Sequence, residues 1–224
     1  NSSMKNYLFV AITFIFTINL FAGVHLEIQN VDADAGTLDI HMSNAAHCIY
    51  WEDTDEILDE TIEDSAACEA LSGTWFNGQV GGFQLDLAGI VLAGASGGSA
   101  AGNGFMISAS GTTVIGFSLM GGTIPPGEAV LCTLSFIDYA GGEICLPYVQ
   151  SGNVSDITPV ISDASGVAIP VTVGYCYCSP DNPADECGVC GGTGIPDGEC
   201  DCDGSDATFV CWDGSYECDE KDCP

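Results

Sequence analysis

Val130-Leu131-Cys132-Thr133-Leu134-Ser135-Phe136 places Val130, Cys132, Leu134 and Phe136 at every second position. Side chains of an extended chain point alternately to two faces, so a run with this period reads as a half-buried strand. The same alternation recurs on both sides of it, in Val24-Leu26-Ile28, Leu38-Ile40-Met42, Phe83-Leu85-Leu87 and Ile169-Val171-Val173. Turn signals separate the runs: Asp34-Ala35-Gly36, Gly121-Gly122, Pro125-Pro126-Gly127, Ala140-Gly141-Gly142 and Ser165-Gly166. Short strands with frequent turns predict an all-β fold, an antiparallel sandwich over residues 23–174. Roughly 150 residues suffice for one core. Cys132, in phase with its apolar neighbours, is expected in that core as a small hydrophobe. The glycine-rich stretch from Gly94 to Gly104 is expected as a bulged strand or loop within so compact a domain.

One segment, about residues 44–79, interrupts the strands. Glu52 to Asp64 carries eight acids, bracketed by Cys48 and Cys68. Thr61 and Asp64 have capping-box spacing and Gly73 is a stop signal, which predicts a short helix over 62–72 tied by a Cys48–Cys68 bridge. The acidic run reads either as a solvated loop or as a surface for Ca²⁺ or a partner.

The last fifty residues, 175–224, carry nine of the thirteen cysteines, interleaved with Asp, Glu and Gly. That composition cannot build a packed core, so covalent links must hold it. Disulfides persist only in an oxidising compartment, which places the protein outside the cytoplasm. With Cys132 set aside, twelve cysteines remain to pair: Cys48, Cys68, Cys145, Cys176, Cys178, Cys187, Cys190, Cys200, Cys202, Cys211, Cys218 and Cys223. Cys145 is expected to reach the Cys176/Cys178 region; the remaining connectivity is open. An exposed odd thiol that links subunits is the alternative. Cys187-x-x-Cys190 with Cys200-x-Cys202 has zinc-like spacing, but a secreted cysteine-rich chain favours disulfides. For calcium the candidate ligands are Glu199, Asp201, Asp203 and Asp206, with Asp197 nearby: alternate carboxylates before a Gly turn suit a hard cation. Val210 stands where a closing bidentate Glu would be counted from Glu199, so an acidic turn without an ion is the competing reading.

At the other end, Met4-Lys5, the apolar run Tyr7–Phe21 and Ala22-Gly23 have the three-part layout of a secretory signal peptide over residues 1–22. The run is short for a span of about 20 residues; an uncleaved anchor is the alternative. Asn1 to Ser3 precede the expected start. No later apolar run reaches spanning length, so no membrane insertion is expected after cleavage. Lys5 leaves with the signal, and 32 acidic side chains then face Lys221 alone. Phosphate backbones and anionic lipid need clustered Lys and Arg, so nucleic acid and anionic membranes are excluded as partners. Salt bridges cannot hold the fold, and self-repulsion must be screened by salt or by bound Ca²⁺.

Gly81-Gly82-Phe83-Gln84-Leu85-Asp86-Leu87 resembles a strand of cohesin-like domains. So do Thr113-Val-Ile-Gly-Phe-Ser118, Ile124-Pro-Pro-Gly-Glu128 and the strand Val130–Phe136. The resemblance covers residues 24–174 apart from the acidic insertion. It implies a jelly-roll sandwich related to carbohydrate-binding modules, of a kind that often docks partner modules in cell-surface assemblies; it carries over no contact residues. Asp185-Glu-Cys-Gly-Val-Cys-Gly-Gly192 is similar to DECGVCGG repeats of secreted proteins, often from marine bacteria, and implies an extracellular spacer.

Catalysis finds no foothold. The chain has three histidines, His25, His41 and His47, and none stands in a triad or metal-ligand spacing. A glycosidase pair needs a shaped cleft that nothing in the sequence suggests, so no enzyme is expected. Trp51, Trp75 and Trp212, with Tyr50, Phe76 and Tyr216, can stack on sugar faces or pack locally. Asn153-Val-Ser155 is a glycosylation sequon. The expectation is a secreted, non-enzymatic protein at the cell surface, serving adhesion or extracellular assembly, its partner other protein subunits or itself, including as the repeating unit of a filament. The alternative is a module that binds extracellular polysaccharide.

Overall fold

The computed structural model describes residues 23–52, 55–59, 61, 62, 64–147, 159–195, 199–202, 204, 205, 208–213, 215–218, 221 and 223. The signal segment, the sequon at Asn153 and the side chains of Asp197, Asp203 and Asp206 lie outside them. In chain order the elements are β1 (Val24–Asp32), β2 (Thr37–Asn44), β3 (His47–Glu52), β4 (Asp55–Asp59), α1 (Ser65–Ala70), β5 (Thr74–Phe76), β6 (Gly82–Asp86), β7 (Val91–Ser96), α2 (Gly98–Gly102), β8 (Met106–Ser110), β9 (Thr113–Phe117), β10 (Gly127–Ile137), β11 (Glu143–Ile144), β12 (Val160–Ser162), β13 (Ala168–Ile169), β14 (Val171–Val173), β15 (Tyr177–Cys178), β16 (Phe209–Val210) and β17 (Tyr216–Glu217).

Two five-stranded sheets, ordered β14-β1-β2-β10-β7 and β13-β12-β6-β9-β8, enclose one apolar core. Leu26, Leu38, Ile40 and Leu134 from the first and Phe83, Leu85, Val114 and Ile161 from the second are its centre. The alternation of β2 is strict: Leu38, Ile40, Met42 and Asn44 point in, and Thr37, Asp39, His41 and Ser43 point out. In β10 the alternation fails at one place. A bulge sets Val130 opposite His41 and Cys132 opposite Ile40, so Leu131 is the extra residue. Leu131 and Cys132 are therefore both fully buried, while Val130, expected inside, is only half-buried on the outer side. A bulge turns the strand locally, as its two-against-one pairing requires.

The run Ile169-Val171-Val173 is likewise not one strand. Pro170 lacks the amide that a ladder needs, and the chain changes sheet there: β13 pairs with β12 in the second sheet, and β14 with β1 in the first. The β1–β14 pairing is parallel, which corrects the wholly antiparallel expectation. The stretch from Gly94 to Gly104 divides between the bulged end of β7 and the single turn of α2.

The insertion forms its own three-stranded sheet, β4-β3-β5, with α1 beside it. The helix is shorter than its sequence signal. Asp64, not Thr61, is the N-cap, its carboxylate accepting the Ala67 amide at 2.8 Å. Ser72, not Gly73, takes the left-handed conformation at the far end, and the Gly73 amide bonds the Cys68 carbonyl.

Six disulfides join Cys48–Cys68, Cys145–Cys176, Cys178–Cys190, Cys187–Cys202, Cys200–Cys218 and Cys211–Cys223. The last four interleave, each closing a loop that contains one end of the next. Cys145–Cys176 and the β11–β15 pairing fasten the start of this series to the sandwich.

Candidate functional site

The residues singled out by sequence do not converge. Trp75 stands across from Cys48 in the β3–β5 pairing and shares its face. Trp51 is three residues beyond Cys48 on β3 and so points to the other face. Trp212 belongs to the cysteine-rich module and is largely exposed, as Trp51 is. The three tryptophans thus form no common platform for a sugar. In the acidic loop, the Asp201 carboxylate accepts the Ser205 amide at 3.0 Å, and Glu199 lies beside Gly204. Asp203 and Asp206, which would complete a calcium ligand set, fall outside the described residues.

Cysteine chemistry is spent on architecture. Cys187 and Cys190 belong to different disulfides, so the zinc-like spacing is not a metal site. Glu143, Cys145 and Cys176 have converging ligand atoms, but the two sulfurs are joined to each other. Cys132 is the free thiol and is fully buried in the core, its pKa pushed up to about 12 by burial and, secondarily, by the charge of Asp39. The alternative of an exposed odd thiol linking subunits is therefore corrected: Cys132 cannot reach a partner in the folded protein.

What the sequence did not single out is an apolar outer surface on the second sheet. Register sets Met106, Phe117 and Gly82 in one row across β8, β9 and β6, and Ser162 follows Gly82 on β12. The next row is Ser108, Ile115, Gln84 and Val160, and the third is Ser110, Thr113 and Asp86. All face away from the core, since Phe83, Leu85, Val114 and Gly116 between them are buried. Met106, Ile115 and Phe117 are exposed at 55%, 41% and 42%, and Leu119 and Met120 in the following loop at 74% and 95%. Asp86 is the one carboxylate in these rows, and it accepts a hydrogen bond from the Thr113 hydroxyl. A shallow groove of about 220 Å³ runs over Gln84, Ile115, Phe117 and Val160, floored by Gly82, Gly116 and Phe83.

The outer face of the first sheet is the opposite in character. His25, Glu27, Gln29, Asp39, His41, Ser43, Glu128, Thr133 and Ser135 occupy its outward positions, with Val130 the apolar residue opposite His41. In Thr113-Val-Ile-Gly-Phe117 the outward phase carries Ile115 and Phe117, and only the register aligns them with Met106 and Val160.

No protein-family model matches this chain, and no curated protein or solved structure matches it significantly.

Proposed function

We propose that this is a secreted, non-enzymatic protein of extracellular adhesion or assembly, built on a cohesin-like jelly-roll sandwich. It docks a protein subunit, a second copy of itself foremost, through the outer face of the second sheet. The observation that carries the reading is the Met106–Ile115–Phe117 surface with Leu119 and Met120 at its border. A chain with 32 acids and two basic residues repels its own copies. Self-docking then requires a face without unpaired carboxylates, and this face carries only Asp86, already bonded to Thr113. Burying apolar area there contributes roughly 25 cal/mol per Å², against the desolvation of one carboxylate, Asp86, whose hydrogen bond from Thr113 is kept. The six disulfides support the extracellular placement, and the interleaved loops of the terminal module suit a spacer between docking units.

Size-exclusion chromatography with light scattering tests it. The wild-type chain is expected to elute as a dimer or larger, and Ile115→Asp and Phe117→Asp, both on the surface, as monomers with unchanged circular dichroism. Addition and chelation of Ca²⁺ separate an ion-bridged assembly from an apolar one. A wild-type chain that stays monomeric across concentration, with and without Ca²⁺, sinks the self-assembly reading.

A further inference from the structure

The outer face of the first sheet gathers two of the chain's three histidines around one carboxylate. His25 and Glu27 leave β1 on the side away from the core, because Val24 and Leu26 beside them point inward and are fully buried. On β2, His41 stands outward between buried Ile40 and Met42. Register sets Glu27 directly across from His41. Cross-strand partners have Cβ atoms about 4.5–5.5 Å apart, and residues two apart on a strand share a face. A His-x-Glu pair and a facing histidine are thus mounted on two adjacent strands.

His25 is already oriented. It is 4% exposed, and its Nδ1 lies 2.8 Å from the Thr172 hydroxyl on β14. Its Nε2 lies 3.2 Å from Glu27 Oε1. Two ligands about 2.0–2.2 Å from a tetrahedral ion stand roughly 3.3 Å from each other, so this nitrogen and oxygen are already at the spacing that one ion would impose. A hydroxyl on the far ring nitrogen is the kind of outer contact that fixes a ligating imidazole. Glu27 Oε2 accepts the Gln29 amide at 2.8 Å. Asp39 and Glu128 face the same side; Asp39 is engaged by Asn30 and Thr133. The field of so acidic a chain draws cations to its surface. Calcium prefers sites built wholly of oxygen, whereas two imidazoles with a carboxylate select zinc-like ions.

We propose that His25, Glu27 and His41 form a binding site for a divalent transition-metal ion of the zinc class, closed when half-buried His41 turns towards Glu27. In the present rotamers the three donors do not yet converge; His41 supplies the third ligand by rotation about its side-chain bonds. The bound ion fastens β1 to β2, and through Thr172 it steadies β14, the strand from which the chain leaves for the cysteine-rich module.

The test is calorimetric titration of the full chain with Zn²⁺ at neutral pH, in excess Ca²⁺ to fill oxygen-only sites. One saturable equivalent is expected, and His41→Ala and Glu27→Gln should each weaken it by at least about tenfold. On the wild type alone, the imidazole NMR signals of His25 and His41 should shift with one equivalent of Zn²⁺ while those of buried His47 do not. Absence of saturable binding in the presence of Ca²⁺, wild-type affinity in both variants, or unmoved His25 and His41 signals would each overturn the proposal.

Discussion

Cys132 sits at the bulge of β10 with no exposed surface, and its position sets what its thiol can do. A thiol reacts as the thiolate, and burial has moved this one far from the pH at which thiolate forms. An aromatic disulfide reagent should therefore find no thiol in the native protein. It should find one per chain after denaturation without reductant; a higher count would mean that one of the six bridges is open. Gly116 is a second single-residue constraint. A Cβ there would come within 2.1 Å of the Phe83 ring, which is stacked on Phe105. Gly116→Ala must displace that ring, and overpacking of this kind costs about 1–3 kcal/mol. Chemical denaturation should show the loss; a variant as stable as the wild type would mean that the ring moves freely.

At the scale of elements, one hydrogen-bonded loop pattern recurs three times among the described residues. In Asp163-Ala-Ser-Gly-Val167 and Asp185-Glu-Cys-Gly-Val189 the first carboxylate accepts the amides two and four residues on. In Asp201–Ser205 it accepts the amide four residues on. The fourth position is Gly in all three, at φ of 82°, 73° and 82°, a left-handed conformation that costs other residues. Asp185 accepts a third amide, from Gly194, and these bonds, that of Val189 foremost, lower its pKa. The folded module therefore holds a proton on Asp185 less tightly than the unfolded chain. Its contribution is complete above the ordinary carboxylate range and is lost as pH falls through the lowered value. Amide exchange at Cys187, Val189 and Gly194 should accelerate in acid while the disulfides stay closed, and Asp185→Asn should reproduce the effect at neutral pH. Unchanged exchange in both cases would remove Asp185 from this role. These loops show what was legible in the sequence. Periodicity located β1, β2, β6, β10 and the β13–β14 run, because burying one face needs only local alternation; the short strands of the insertion and of the cysteine-rich module carry no such run. The cysteine brackets located the Cys48–Cys68 bridge. The exchange of sheets at Pro170 and the β10 bulge were not legible, since both depend on which distant strand lies alongside. The apolar outer face was missed for the same reason: Met106, Ile115 and Val160 become neighbours only through the β8-β9-β6-β12 register.

The whole molecule must hold together against its own charge. With a formal net charge of −30 and no arginine, the fold gains little from ion pairs. Cohesion falls to the apolar core and to the covalent ladder, while repulsion between carboxylates acts over a screening length of about 10 Å at 0.1 M salt. Stability should therefore rise with NaCl from low ionic strength and level off once that length is shorter than the spacing between surface acids. Calcium at matched ionic strength distinguishes two sources of this gain. Diffuse screening gives CaCl₂ little advantage over NaCl in melting temperature, and Glu199→Gln and Asp201→Asn should then leave the curve unchanged. A bound ion adds a saturating increment that grows with the logarithm of free Ca²⁺ above its dissociation constant, and those substitutions should remove it. The interleaved bridges bear on the same experiment. Because Cys145–Cys176 is the covalent tie between sandwich and module, the double substitution Cys145→Ala, Cys176→Ala should let the module unfold separately, at a cost of about 2–4 kcal/mol. Two transitions in low salt, merging into one in the wild type, would show that this tie couples the acidic module to the core; a single unaltered transition would show that the β11–β15 pairing suffices without it.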